Sequence, residues 1–143
     1  MELVIKTFDQ LSAGELYEIL KARAAVFMLE QKIVCQDMDD VDYRAWHVFL
    51  QEKNDVKAYL RMYETDEKTV QIGRVLTTER KKGYGYTVMC AAIDTAKQRL
   101  KKQTVRLEAQ CHAIGFYEKL GFQVTSEEFL DVGIPHVEMK RCL

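Results

Sequence analysis

Between residues 69 and 110 the hydrophobic pattern changes period twice, and this restricts the fold more than any other stretch of the chain. Val70-Gln71-Ile72-Gly73-Arg74-Val75-Leu76-Thr77 is rich in β-branched and apolar residues, the composition of a strand. Met89, Ala92, Ile93, Ala96 and Leu100 then recur at spacings of three and four, which predicts a helix over 83–100. Val105, Leu107 and Ala109 next alternate with Arg106, Glu108 and Gln110, so the chain returns to a strand. A strand–helix–strand unit crosses over right-handedly and leaves its two strands parallel in one sheet. The chain is therefore of the α/β class.

The joint between the first of these strands and the helix is Arg80-Lys81-Lys82-Gly83-Tyr84-Gly85-Tyr86. First-turn N–H groups have no intrahelical partner, and the helix dipole favours an anion there. Glycine reaches backbone angles closed to other residues and lets a phosphate approach the main chain. Arg80, Lys81 and Lys82 add positive charge. The turn reads either as an anion cradle or as a basic loop facing solvent. A Walker A loop would need G-x-x-x-x-G-K-[ST], which the chain lacks, and a dinucleotide fingerprint would need glycine where Val88 stands.

The other elements follow from period and punctuation. Residues 2–7 read as a strand. Ser12-Ala13-Gly14-Glu15 has the form of a capping box, opening a helix with Leu16, Ile19, Leu20, Arg23, Val26 and Phe27 on one face. Residues 33–44, with Asp37, Asp39, Asp40 and Asp42, read as an acidic loop. Strands over 45–51, 56–63 and 69–77, separated by turn-like Lys53-Asn54-Asp55 and Asp66-Glu67-Lys68, should form an antiparallel meander. In the middle strand Val56, Ala58, Leu60 and Met62 alternate with Lys57, Tyr59, Arg61 and Tyr63. A short helix near 112–119 ends at Gly121, and strands near 122–129 and 136–141 close the chain. The expected order is β-α-βββ-α-β-α-ββ, in one domain spanning 1–143.

At 143 residues and net charge -1, the chain has the size of one domain and lacks the basic excess that non-specific nucleic-acid binding requires. No apolar run approaches the ~20 residues that span a bilayer. Cys35, Cys90, Cys111 and Cys142 form no C-x-x-C pair, and His47, His112 and His136 no H-x-x-x-H pair, so no metal site is expected. Without an export signal, free thiols and a cytoplasmic location are expected.

Arg80-x-x-Gly83-x-Gly85 after the fourth strand, with Phe116-Tyr117-Glu118-Lys119-Leu120-Gly121-Phe122 after the fifth, resembles the GNAT superfamily of N-acetyltransferases. The resemblance covers essentially the whole chain. Arg23 to Gln31, Gly73-Arg74-Val75, Glu108-Ala109-Gln110 and Gly133 to Met139 look like its ElaA-type branch. The resemblance implies the acyl-CoA N-acyltransferase fold: a mixed, mostly antiparallel sheet of about six to seven strands flanked by helices, with parallel central strands four and five splayed. It implies acetyl-CoA as co-substrate and a small-molecule or peptide amine as acceptor. It also leaves room for a homodimer.

Carried over by the same resemblance, the backbone amides of Lys81 through Tyr86 would hold the coenzyme A pyrophosphate, and Val75 and Leu76 would bond the pantetheine arm in β fashion. Arg80, Lys81, Lys82 or Lys119 would reach phosphate oxygens, with Phe116 beside them. Tyr117 aligns with the tyrosine that protonates the leaving thiolate, a task suited to a phenol near pKa 10. Many relatives place a glutamate base on the fourth strand, where this chain has none. Glu108, His47, His112, His136 and a water relay all remain candidates. Arg23, Glu30, Gln31, Gln110 and His136 are candidate acceptor contacts. Arg23, lying in an apolar stripe, needs a partner, and Glu30 or the acidic loop could supply one. That loop could equally attract a cationic amine or simply face solvent.

Overall fold

In the computed structural model, which describes residues 1–143, strands form over Glu2–Thr7 (β1), Trp46–Glu52 (β2), Asp55–Glu64 (β3), Thr69–Thr77 (β4), Thr104–Gln110 (β5), Gln123–Val124 (β6), Phe129–Asp131 (β7) and Ile134–Cys142 (β8). Helices cover Ala13–Arg23 (α1), Tyr84–Gln98 (α2) and Ile114–Glu118 (α3). The strands make one sheet in the order β1-β2-β3-β4-β5-β8-β6, with β7 also beside β8. The meander of β2, β3 and β4 is antiparallel, and β4 and β5 are parallel, as the crossover requires. No helix is long and apolar enough to cross a membrane.

Helices cover both faces. On one, Val88, Met89, Ala92, Ile93 and Ala96 of α2 pack on Val48, Leu60 and Met62 in the main core. On the other, Ile19, Ala22 and Val26 pack on Phe49, Tyr59 and Leu76. The capping box at the start of α1 is closed in both directions: Glu15 N–H donates to Ser12 Oγ (3.0 Å) and Ser12 N–H to the Glu15 carboxylate (2.8 Å). Past Arg23 the helix widens into a π-helical turn, Ala24–Glu30.

In β3 both alternating sets are covered: Tyr59 and Arg61 are buried like Leu60 because α1 and the acidic loop lie over them. One expectation needs correction. The expected strand near 122–129 is two short ones, which raises the sheet to eight strands. Thr125 N–H still reaches the Glu138 carbonyl (2.8 Å), but the Ser126 hydroxyl accepts the Glu138 N–H at 2.9 Å, in place of a main-chain carbonyl. The ladder resumes only at Phe129↔His136.

Candidate active site

The central feature is a defect in β4. Gly73 pairs with Arg61 and Leu76 with Tyr59, so Arg74 and Val75 together face the single residue Leu60. This is a β-bulge, and Arg74 occupies left-handed backbone at φ 53° within it. The bulge turns β4 away from β5: their pairing runs from Thr69↔Thr104 to Ile72↔Leu107 and stops. Beyond that point the β5-facing N–H and C=O groups of Gly73 to Thr77 have no strand to bond. A cleft of about 450 Å³ opens at this gap.

One wall of the cleft is the acidic loop, clamped by arginines from three elements. Arg23 of α1 donates to Asp37 (2.9 Å) and Asp42 (2.7 Å). Arg61 of β3 holds Asp39 through two 2.7 Å bonds, and Arg74 holds Asp37 at 2.8 Å. The Arg61 guanidinium keeps the Asp39 carboxyl well below the usual carboxylate range. Three of the loop's four aspartates, Asp37, Asp39 and Asp42, are thus held by arginines, while Asp40 is exposed with no arginine beside it. Asp37, Asp39, Arg61 and Arg74 form cleft wall.

At one end of the gap stands the basic glycine turn. Gly83 is the N-cap of α2 at φ 76°, and no side chain caps this helix. The contrast with α1 is physical: there the first-turn amides are satisfied by Ser12, whereas here they are left to a ligand or solvent. The two glycines do different work. A Cβ on Gly83 would meet nothing within 4 Å, so its backbone angle is what demands glycine. A Cβ on Gly85 would come within 3.3 Å of Thr77 Cγ2 and 3.5 Å of Phe116 Cζ. Gly85 therefore lets α3 close on α2, and it is here that the two halves of the sequence signature touch. Arg80, Lys81, Lys82 and Tyr86 are exposed and Tyr84 is half-buried against the main core. Arg80 donates to Glu30 at 2.6 Å.

Tyr117 sits on α3 between Phe116 (5.1 Å between ring centroids) and Phe122 (6.0 Å), lines the cleft and is 8% exposed. Burial pushes its phenol up to about 12. Val75 lines the cleft, whereas Leu76 points into the opposite core, so only its main chain faces the gap. Lys119 follows α3 and is exposed.

The remaining sequence candidates separate. Glu108, Gln31, Gln110, His112 and His136 line the cleft. Glu108 lies 3.2 Å from Arg106, which also holds Glu138 at 2.6 Å. Gln110 donates to Gln31 (3.0 Å) and accepts from His112 Nε2 (2.6 Å). Arg23 leaves the set of acceptor contacts. It is 1% exposed, and its donors are taken by Asp37 and Asp42. Glu30 is outside the cleft lining and paired with Arg80. His47 leaves the set of bases: it is fully buried, with Nδ1 against Tyr59 Oη (2.7 Å) and Nε2 against the Asp42 carbonyl (2.9 Å). Burial holds its pKa below the ordinary value.

Sequence reasoning missed the Arg74-Val75 bulge that follows Gly73 and the cleft residues Gln36, Asp131 and Val132. A glycine inside a strand pattern was the available signal for the first. No group of three His, Cys, Asp or Glu residues is placed to hold a metal ion.

Comparison with known proteins agrees with this geometry. The family model described as an acetyltransferase (GNAT) domain matches residues 13–143. A UPF0039 protein of Schizosaccharomyces pombe is 39% identical over 98% of this chain and 96% of its own. Protein ElaA of Escherichia coli is 33% identical over 93% of this chain and 91% of its own, and its crystal structure superposes with a TM-score of 0.92 over 99% of both. An acyl-CoA N-acyltransferase from Pseudomonas aeruginosa superposes at 0.90 with 32% identity over 99% of both. With its splayed β4–β5 gap, uncapped α2 and matching family model, the chain belongs to the GNAT family of acetyltransferases, alongside ElaA.

Proposed function

We propose that the chain moves an acetyl group from acetyl-CoA directly to a primary amine of a small molecule or to an exposed amino group. The observation that carries this reading is the convergence on one gap of unpaired β4 backbone, an uncapped helix N-terminus and a buried phenol. The pyrophosphate would lie on the backbone amides of Lys81 to Tyr86, which run through the turn into the start of α2. Binding there sets Glu30 and a phosphate in competition for Arg80. The pantetheine amides fit the free edge of β4 as an added strand, at Val75 and the main chain of Leu76. The substrate supplies a thioester carbonyl carbon. The cleft supplies position, which removes much of the entropic barrier to bringing the two reactants together.

Tyr117 lines the cleft, and burial raises its pKa, so its hydroxyl stays protonated and can donate a hydrogen bond to the departing thiolate. Glu108 has one carboxylate oxygen 3.2 Å from Arg106.

The test is calorimetry with acetyl-CoA and CoA, followed by thiol release across a panel of primary amines. Binding with turnover is the expected result, and Tyr117→Phe should lower kcat at least tenfold with CoA affinity within twofold of wild type. Absence of CoA binding at millimolar concentration would overturn the proposal. Tight CoA binding without turnover on any amine would favour a CoA sensor, a reading motivated by the missing β4 glutamate.

A further inference from the structure

We infer that His136 is the general base of the reaction, accepting the amine proton on Nε2. The inference rests on the acetyl-transfer reading above and extends it to a residue for which the comparisons give no role. His136 lies on β8 opposite Gln110 of β5 and Phe129 of β7, lines the cleft and is 7% exposed. Its ring stacks on Phe129 with centroids 6.1 Å apart. Its Nδ1 lies 2.7 Å from the Ile134 carbonyl oxygen. A carbonyl only accepts, so Nδ1 carries the hydrogen. The neutral ring is then the tautomer with its lone pair on Nε2. When Nε2 takes a proton, the Nδ1–H bond to Ile134 persists and becomes charge-assisted, so the base works without reorganising.

The alternatives differ in setting. His47 is sealed with both nitrogens bonded, and Glu108 is paired with Arg106. His112 donates from Nε2 to Gln110 and keeps Nδ1 free, but it is exposed, whereas His136 is buried in the cleft wall. The charged and titratable groups that share the cleft with His136 are Glu108 from β5, His112 from the following turn, Tyr117 from α3, Asp131 from β7 and the Asp37–Arg74 and Asp39–Arg61 pairs. The proton balance closes. The amine nitrogen bonds the acetyl carbon while its proton passes to His136 Nε2. The carbon–sulfur bond breaks with its electron pair on sulfur, steadied by the Tyr117 hydroxyl. Imidazolium then returns one proton, through solvent, to the thiolate.

The experiment pairs kinetics with NMR. His136→Asn keeps an N–H near Nδ1 to bond Ile134 but has no lone-pair nitrogen, and His136→Gln serves if the Asn variant folds poorly. With acetyl-CoA and saturating amine, drawn from a panel of a diamine, an aromatic ethylamine and a lysine-containing peptide, wild type should lose kcat on acidification. The variant should lose at least fiftyfold in kcat and lack that limb, while CoA affinity by calorimetry stays within twofold. Nitrogen-15 shifts should place the hydrogen of neutral His136 on Nδ1. Unchanged kcat, a retained acid limb or an Nε2–H tautomer would overturn the role of His136 while leaving acetyl transfer standing. A wild type that binds CoA yet acetylates none of the amines would overturn both.

Discussion

Replacing Arg23 by alanine removes the clamp between α1 and the wall of the cleft, and the structure sets the size of the effect. The guanidinium is 1% exposed and bonds Asp37 Oδ2 (2.9 Å), Asp42 Oδ1 (2.7 Å) and the Asp37 carbonyl (3.1 Å). Breaking a buried pair typically costs about 3–5 kcal/mol, because the partner keeps a desolvated charge. Here the lower end applies. Asp42 retains Arg61 at 3.2 Å and Asp37 retains Arg74 at 2.8 Å, so neither carboxylate is abandoned. A loss of about 3 kcal/mol in a domain of this size corresponds to a Tm roughly 10 °C lower. Thermal unfolding by circular dichroism at 50 and 500 mM salt reads it. The difference from wild type should vary little with salt, since the pair lies away from solvent. Arg23→Lys should recover only part of the loss, because one ammonium cannot reproduce the forked bonds to two carboxylates. A Tm within 2 °C of wild type (by the same size scaling, under about 1 kcal/mol) would refute the claim that these ion pairs hold the loop.

The two glycines of the basic turn should fail differently. Gly83→Val forces a β-branched residue to positive φ, costing on the order of 1–2 kcal/mol, and weakens CoA binding at least tenfold in calorimetry with the fold intact. Gly85→Val instead pushes Thr77 and Phe116 apart, an overpacking cost of about 1–3 kcal/mol that a urea titration detects without any ligand. Glu30→Gln releases Arg80 from an exposed ion pair worth under about 1 kcal/mol, so CoA binding should tighten by up to about fivefold at low salt with Tm unchanged. Acid should weaken the fold through carboxylates whose pKa folding lowers: Asp39 by Arg61, Glu138 by Thr125 and then Arg106. Their contribution is complete above the ordinary carboxylate range near pH 4 and is lost as pH falls through the lowered values, so urea midpoints should drop between pH 5 and pH 2.

What was legible in the sequence was everything governed by neighbours along the chain. The period change across 69–110, the Ser12–Glu15 capping box and the Gly83 turn each depend on residues within a turn or two, and the structure contains all three. Parallel pairing of β4 and β5 followed because the handedness of a crossover leaves little choice.

Tertiary structure alone decided matters of long-range partnership. Whether Arg61 faces water depended on a loop that begins some thirty residues earlier, and whether the alternation in β3 meant one covered face or two depended on α1. Breaking 122–129 into two strands turned on which hydroxyl reached the Glu138 N–H. The sequence offered three histidines as equals. Only the folded chain separates them, by sealing His47, leaving His112 exposed and burying His136 in the cleft wall with Nδ1 bonded to the Ile134 carbonyl. The reason is that periodicity records how each element is wetted, whereas a buried donor or acceptor takes its meaning from the atom opposite. That atom comes from elsewhere in the chain and is specified only when the sheet closes.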